Sequence, residues 1–297
     1  MAQSNFYQEG HYPSPFQQTW KEFRKSHIAL FGLWIFICFA LILLFAPLIA
    51  PYSASGQDTE ALLLPPAWDP SGTVVYLFGT DSLGRDMLSR VIYGSRTTLG
   101  ISLLMVVMAM LIGFSIGAFA GMSKGLRASI LNHLLDSIMS LPTLLIAIII
   151  VAIVGTGLTN CMWAITLALI PQFIHLTRDL VRTEWHKEYV TAARLDGASK
   201  TRILFDSILP NMTERLVVAG TMALSTAILD ISALGFLNLG AQAPVAELGT
   251  LLSEGLELAY IAPWTIAIPG AAILLMLMSV NLVGDGIRSA LRYRLQQ

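Results

Sequence analysis

The sequence predicts an all-α membrane protein with six transmembrane helices, and three observations carry that expectation: composition, long apolar stretches and the placement of basic residues. Of the 297 residues 55% are hydrophobic and 12% charged, and a mean hydropathy of +0.67 is too apolar for a soluble domain of ordinary composition. A helix needs roughly 20 apolar residues to cross a hydrocarbon core about 30 Å thick. Six stretches qualify: 28–50, 97–121, 138–154, 158–176, 216–239 and 262–283. Of the 18 Lys and Arg residues, all but Arg85, Arg90 and Arg96 fall in segments that share the cytoplasmic side when the N-terminus is inside. Both termini are therefore expected in the cytoplasm.

In chain order, residues 1–27 form a polar and aromatic cytoplasmic tail with an elbow helix. The apolar stretch 28–50 behind it is too long for a signal-peptide core and has no small-residue cleavage site, so it is expected to remain as the first span. Segment 51–96, punctuated by Pro51, Pro65, Pro66 and Pro70, is too long for a simple connection. It is expected to cross the outer surface before a short amphipathic stretch over 86–93. The core runs over 97–283. Within its second span Gly113, Gly117 and Gly121 recur every fourth residue, a bare helix face that lets a neighbouring backbone come close. Only Gly155, Thr156 and Gly157 separate the third and fourth apolar stretches, which requires a tight turn there. Asp136 and His133 are expected to extend the third helix into the interface. Residues 284–297 make a cytoplasmic tail.

Several chemistries are excluded. The stretch from Gly113 to Gly117 matches the G-x-S-x-G pattern around Ser115, but a nucleophile elbow needs a strand-to-helix turn and this one lies inside an apolar helix. The histidines lack metal-ligand spacing, and Cys38 and Cys161 sit in apolar runs, so no metal site is expected. None of the 23 glycines precedes a lysine, so the chain has no phosphate-binding loop and needs no cofactor of its own. Any nucleotide must be held by a partner. The near-zero net charge of −1 gives no argument for nucleic acid. Asp230 is the acidic residue well inside a span, and its desolvation cost directs it to the bundle interior. Two roles stay open for it: contact with a cationic substrate end on a translocation path, or a helix–helix hydrogen bond.

The most informative segment is cytoplasmic, within 177–215. Glu188-Tyr189-Val190-Thr191-Ala192-Ala193-Arg194-Leu195-Asp196-Gly197-Ala198-Ser199 ends in Ile208-Leu209-Pro210-Asn211 and reads as a short helix, a glycine turn and a second helix. Ala192 and Ala193 offer a small-residue face for docking, Gly197 permits a change of direction, and Pro210 is expected to stop the second helix before the next span. An amphipathic helix lying on anionic lipid is the alternative reading.

This segment resembles the EAA loop of ABC-transporter permeases, in which an alanine pair is followed by glycine and, twelve positions later, Leu-Pro; Thr191 stands where the name-giving glutamate would be. Gly79-Thr80-Asp81-Ser82-Leu83-Gly84-Arg85-Asp86, continued by Ser89-Arg90 and Tyr93-Gly94, is similar to the G-T-D-x-x-G-R-D segment of dipeptide, oligopeptide and nickel permeases of the C type. The likeness runs from Pro51-Tyr52 and Leu64-Pro65-Pro66-Ala67-Trp68 to Gly284-Asp285-Gly286. It looks nearest to the Sap-type branch through Gly125-Leu126-Arg127, Leu131-Asn132-His133, Leu195-Asp196-Gly197-Ala198-Ser199 and Ala262-Pro263-Trp264-Thr265. Leu248 departs from the tryptophan that relatives often carry after Pro-x-x-Glu.

The resemblance implies a type I importer-like (MetI-like) permease in the bacterial inner membrane, not an enzyme. It further implies pairing with a second similar permease, two cytoplasmic ATPases that bind ATP and magnesium, and a periplasmic substrate-binding protein. It implies coupling to those ATPases through Tyr189, Thr191, Ala192, Ala193, Asp196, Gly197, Leu209 and Pro210. Peptides are the implied cargo, with putrescine export or haem uptake described for Sap-type systems. A self-sufficient secondary transporter or channel is the competing class; the inverted repeats or several intramembrane charges it would need are not visible in the sequence.

Overall fold

The structure, a computed structural model, describes residues 15–123 and 135–295. The tail 1–14, Lys124, Arg127, His133 and the family segments 125–127 and 131–133 lie outside the described residues. Helix α1 (Pro15–Phe23) leads into α2 (His27–Ile49), α3 (Met87–Gly121), α4 (Thr143–Val154), α5 (Leu158–Trp185) and α6 (Glu188–Leu195). A short helical turn, Lys200–Arg202, passes through a π-helical turn, Ile203–Ile208, into α7 (Leu209–Phe236), followed by α8 (Leu248–Leu256) and α9 (Trp264–Leu295).

Five of these segments are long and apolar enough to cross a membrane: α2, α3, α5, the continuous Lys200–Phe236 and α9. The third predicted span has a different form. Residues 135–139 are helical, Ser140 to Pro142 break the chain, and α4 resumes for only 12 residues. Proline disfavours helical backbone at the residue before it and has no N–H to give. At 1.5 Å per residue α4 reaches about 18 Å, short of a full crossing. Asp136 therefore belongs to a separate turn rather than to an extension of α4.

Other boundaries move because helices run on past the apolar stretches into polar sequence. The expected amphipathic stretch at 86–93 is the start of α3, where the Asp86 side chain caps the helix by accepting the Ser89 N–H at 2.8 Å. The fourth span continues to Trp185, and the expected C-terminal tail is helical to Leu295. Most of 177–215 is helix rather than loop. Pro210 does not end a helix; it sits at the start of α7, inside the unbroken run Lys200–Phe236. The π turn prepares its place, as the Leu209 N–H reaches back to the Leu204 carbonyl.

Helices α3 and α5 form the most extensive pair, and α9 packs on α2, α7 and α8. The glycine face of α3 is the seam of the first pair. A Cβ on Gly113 would meet the Phe173 Cβ, one on Gly117 would lie 2.6 Å from the Ile174 carbonyl oxygen, and one on Gly121 2.8 Å from that of Arg178. Small residues thus let two backbones touch where lipid offers no hydrophobic drive for helix association. Buried Met105, Ile165, Leu169, Phe173, Ile228, Ile231 and Met276 fill the centre, whereas Ile28, Trp34, Leu44 and Leu48 on α2 point outward. The turn between α4 and α5 is made by Gly155 and Gly157, both at positive φ (104° and 131°), with the Gly157 N–H donating to the Leu239 carbonyl.

Candidate functional site

Sequence reasoning singled out residues at both ends of the bundle and one in its middle. The structure does not bring them into one site. It distributes them over a clamp beside segment 51–86, a buried carboxylate between α4 and α7, and the short helix α6 with the glycine turn after it.

In the clamp, the Asp81 carboxylate accepts the backbone N–H groups of Leu83 and Arg85, the Arg85 Nε at 2.6 Å and an Arg90 Nη at 2.7 Å. Glu254 on α8 accepts from Arg85 at 2.8 Å and from Arg90 at 2.6 Å. Asp81, Arg85 and Arg90 are buried while the Glu254 side chain is 43% exposed. Thr80 ties the same turn to three places: its hydroxyl donates to the Ala61 carbonyl and accepts the Leu64 N–H, and its carbonyl accepts the Trp264 indole N–H at 3.0 Å. Gly79 and Gly84 stand at φ +75° and +69°, and a Cβ on Gly84 would collide with the Asp58 backbone. The segment 79–90 therefore fastens 51–86 onto α3, α8 and α9 with paired charges, although the buried Arg90 Nε is left without a partner among the described residues. Sequence reasoning placed Arg85 in a long outer segment and Arg90 in a short amphipathic stretch at its end, and missed Glu254 as their partner. The only signal was the acidic character of the stretch before α9.

Asp230 lies on α7 and is buried; its carboxylate accepts the Thr143 hydroxyl at 2.8 Å. Thr143 is the first residue of α4 and, with Gln172 and Pro171 of α5 and Met139, lines a cavity of about 160 Å³ beside the Ser140–Pro142 break. Thr143 itself carries no sequence signal. The fully buried Glu247 carboxylate caps α8 through the Thr250 N–H and accepts the Thr98 hydroxyl of α3 at 2.9 Å.

At the opposite end, α6 packs through Val190 against Val181, Trp185, Ile203, Leu204, Ile208 and Met212. Its two alanines part company: Ala193 packs toward that cluster, while Ala192 faces out. Glu188, Thr191, Ala192 and Leu195, spaced i, i+3, i+4, i+7, make one exposed stripe, and Leu195 is 84% exposed. Asp196 closes the helix through its N–H to the Ala192 carbonyl. Gly197 follows at φ +80° with nothing within 4 Å of a would-be Cβ, so the glycine is there for its backbone angle alone. The Ser199 hydroxyl then caps the next turn by accepting the Arg202 N–H. Leu209 is partly buried on the same cluster and Pro210 is exposed. Tyr189 donates to Glu184 at 2.7 Å, and burial, then that carboxylate, push its hydroxyl up to about 12. A raised phenol keeps this bond through neutral pH and loses it only as pH climbs through the folded value. Arg194 stacks 4.1 Å over Trp185 and donates to its carbonyl.

Comparison with known proteins covers nearly the whole chain. Residues 113–297 match the family described as binding-protein-dependent transport system inner membrane component, and residues 14–66 match the N-terminal TM domain of oligopeptide transport permease C. The chain is 46% identical to the peptide transport system permease protein SapC of Salmonella typhimurium and 44% identical to that of Escherichia coli O6:H1, in each case over 98% of both chains. It is 43% identical to the di/tripeptide transport system permease protein DppC of Pseudomonas aeruginosa, over 96% of this chain and 94% of the relative. Among solved structures it resembles in fold the inward-facing MetNI methionine ABC transporter, with a TM-score of 0.55 at 19% identity over 69% of this chain and 97% of that one. With family matches at both ends and full-length relatives between them, the chain belongs to the inner-membrane components of binding-protein-dependent transport systems.

Proposed function

We propose that this chain is one of two permease subunits of an ABC transporter for peptides and moves them across the inner membrane by alternating between inward-open and outward-open arrangements. The observation that carries this reading is the α6 mount. A short helix with an exposed stripe and a glycine turn stands between two spanning helices, a form suited to a chain whose sequence carries no phosphate-binding loop and that receives force from a partner. Two cytoplasmic ATPases bind ATP and magnesium and dock on the stripe of Glu188, Thr191, Ala192 and Leu195. Their closure turns α6 about Gly197, and the π turn passes the displacement into α7. The 51–86 segment faces the periplasm and a binding protein; both termini and α6 face the cytoplasm. The helical turn at 135–139 and α4 together make the sixth crossing. Asp230, bonded to Thr143 beside the cavity at that break, faces the pathway and attracts the ammonium end of a peptide. Peptides take precedence over putrescine or haem because the full-length relatives carry peptide permease names.

Co-purification of the four subunits followed by uptake in vesicles tests this. ATP-dependent accumulation of a labelled peptide, abolished when the ATPases are left out, is expected. Accumulation by this chain alone under an ion gradient would instead make it a secondary transporter.

A further inference from the structure

Segment 51–86 displays apolar surface that nothing among the described residues covers. Val74, Trp68 and Val75 are 86%, 68% and 62% exposed, and Leu77 is exposed as well. From 70 to 80 the sequence contains no Lys, Arg, Asp or Glu. This surface is held rather than frayed: the Ala67 N–H donates to the Leu77 carbonyl at 3.1 Å and the Gly79 N–H to the Tyr76 carbonyl at 2.9 Å. Trp68 sits edge-on to Phe78 at 5.9 Å, and the Tyr76 hydroxyl donates to Asp58 at 2.9 Å.

Its height relative to the bilayer follows from α2. That helix is a membrane span, and its last turns bare Leu44, Phe45, Leu48 and Ile49, a surface suited to hydrocarbon. The helix ends at Ile49, so Tyr52 falls at headgroup level, where tyrosine and tryptophan concentrate because one end of the ring is apolar and the other wet. The Tyr52 hydroxyl donates to the Val75 carbonyl at 3.4 Å, and its ring lies 5.5 Å from that of Tyr76. Val74 and Val75 therefore hang beside the bilayer-facing end of α2, while the charged Glu60 and Asp69 of the same segment are exposed.

We infer that this segment is an interfacial anchor: Trp68, Val74, Val75 and Leu77 enter the headgroup–acyl boundary of the adjacent leaflet, with Tyr52 and Tyr76 as its aromatic collar. The occupant is a lipid surface because residues 70–80 of the patch carry no charge and the patch is continuous with the lipid-facing end of a span. The anchor fixes the height of the clamp over the bundle, and it holds whichever face of the membrane is outside and whatever is carried.

The test places a nitroxide label at Val75→Cys in the chain with Cys38→Ala and Cys161→Ala, assembled with its partner subunits in phospholipid vesicles. Collision with oxygen and with a water-soluble nickel chelate is compared with labels at Glu60→Cys, as the aqueous reference, and Leu48→Cys, as the bilayer reference. An oxygen-to-nickel ratio several-fold above that at Glu60 and approaching that at Leu48 is expected. A ratio equal to that at Glu60 overturns the proposal, as does a label that is open to nickel in the vesicles and shielded only when a binding protein is added. Val74→Cys gives the same reading if the first label disturbs assembly.

Discussion

The two ends of the bundle are built on opposite principles. Beside segment 51–86, Asp81, Arg85, Arg90 and Glu254 pair with one another in a mostly buried ring that joins α3 to α8. Around α6, one buried anchor, Val190, stands next to a positive-φ glycine with empty space around it and a π turn that merges into a spanning helix. Both regions hold stretches that resemble family motifs, yet the first is closed by buried ion pairs and the second has nothing within 4 Å of a Cβ built on Gly197. Charges locked in a low-dielectric ring are costly to separate. A lone glycine between two capped helices offers a change of direction that costs little.

Breaking the clamp should give the largest effect. Asp81→Ala leaves two buried guanidinium groups sharing Glu254, and removing one partner of a buried ionic set costs about 3–5 kcal/mol. Thermal unfolding of the purified chain in detergent should show that loss, with an unchanged midpoint counting against the clamp. Glu254→Gln should cost about 1 kcal/mol or less, since an exposed partner contributes little.

The mount should answer differently, with little lost stability and much lost coupling. Gly197→Val forces a β-branched residue into left-handed backbone at about 1–2 kcal/mol. Ala192→Arg, on the exposed stripe, should change stability by no more than about 0.5 kcal/mol. Overpacking a docked face should nonetheless weaken ATPase binding about five- to hundredfold. Pull-down of the ATPases and peptide-stimulated ATP hydrolysis in the same vesicles measure both. If α6 instead lies on anionic lipid, Ala192→Arg should tighten membrane attachment and leave hydrolysis coupled.

A small change in stability is also expected midway between the ends. Asp230→Asn keeps an acceptor for the Thr143 hydroxyl, so the fold should shift by no more than about 1 kcal/mol. Uptake of cationic peptides should fall while neutral peptides are carried as before. Equal transport of both classes would reduce Asp230 to a helix–helix tie.

The amino-acid sequence by itself determined that this chain is helical and membrane-embedded, because bilayer hydrocarbon admits long apolar stretches almost regardless of how they pack. It also located the glycine face of α3 and the helix–glycine–helix pattern at 188–199, since both rest on local spacing. Tertiary structure alone decided that Arg90 and Glu254, 164 residues apart, are partners, and that Thr143 meets Asp230. It decided as well which of two adjacent alanines faces outward. Only the fold shows that Pro210 lies within a helix and that the third apolar stretch breaks at Pro142. Hydropathy records what a residue prefers as solvent. Whether a polar side chain ends a helix or continues it depends on the partner that another helix brings, and that partner has no fixed distance along the chain.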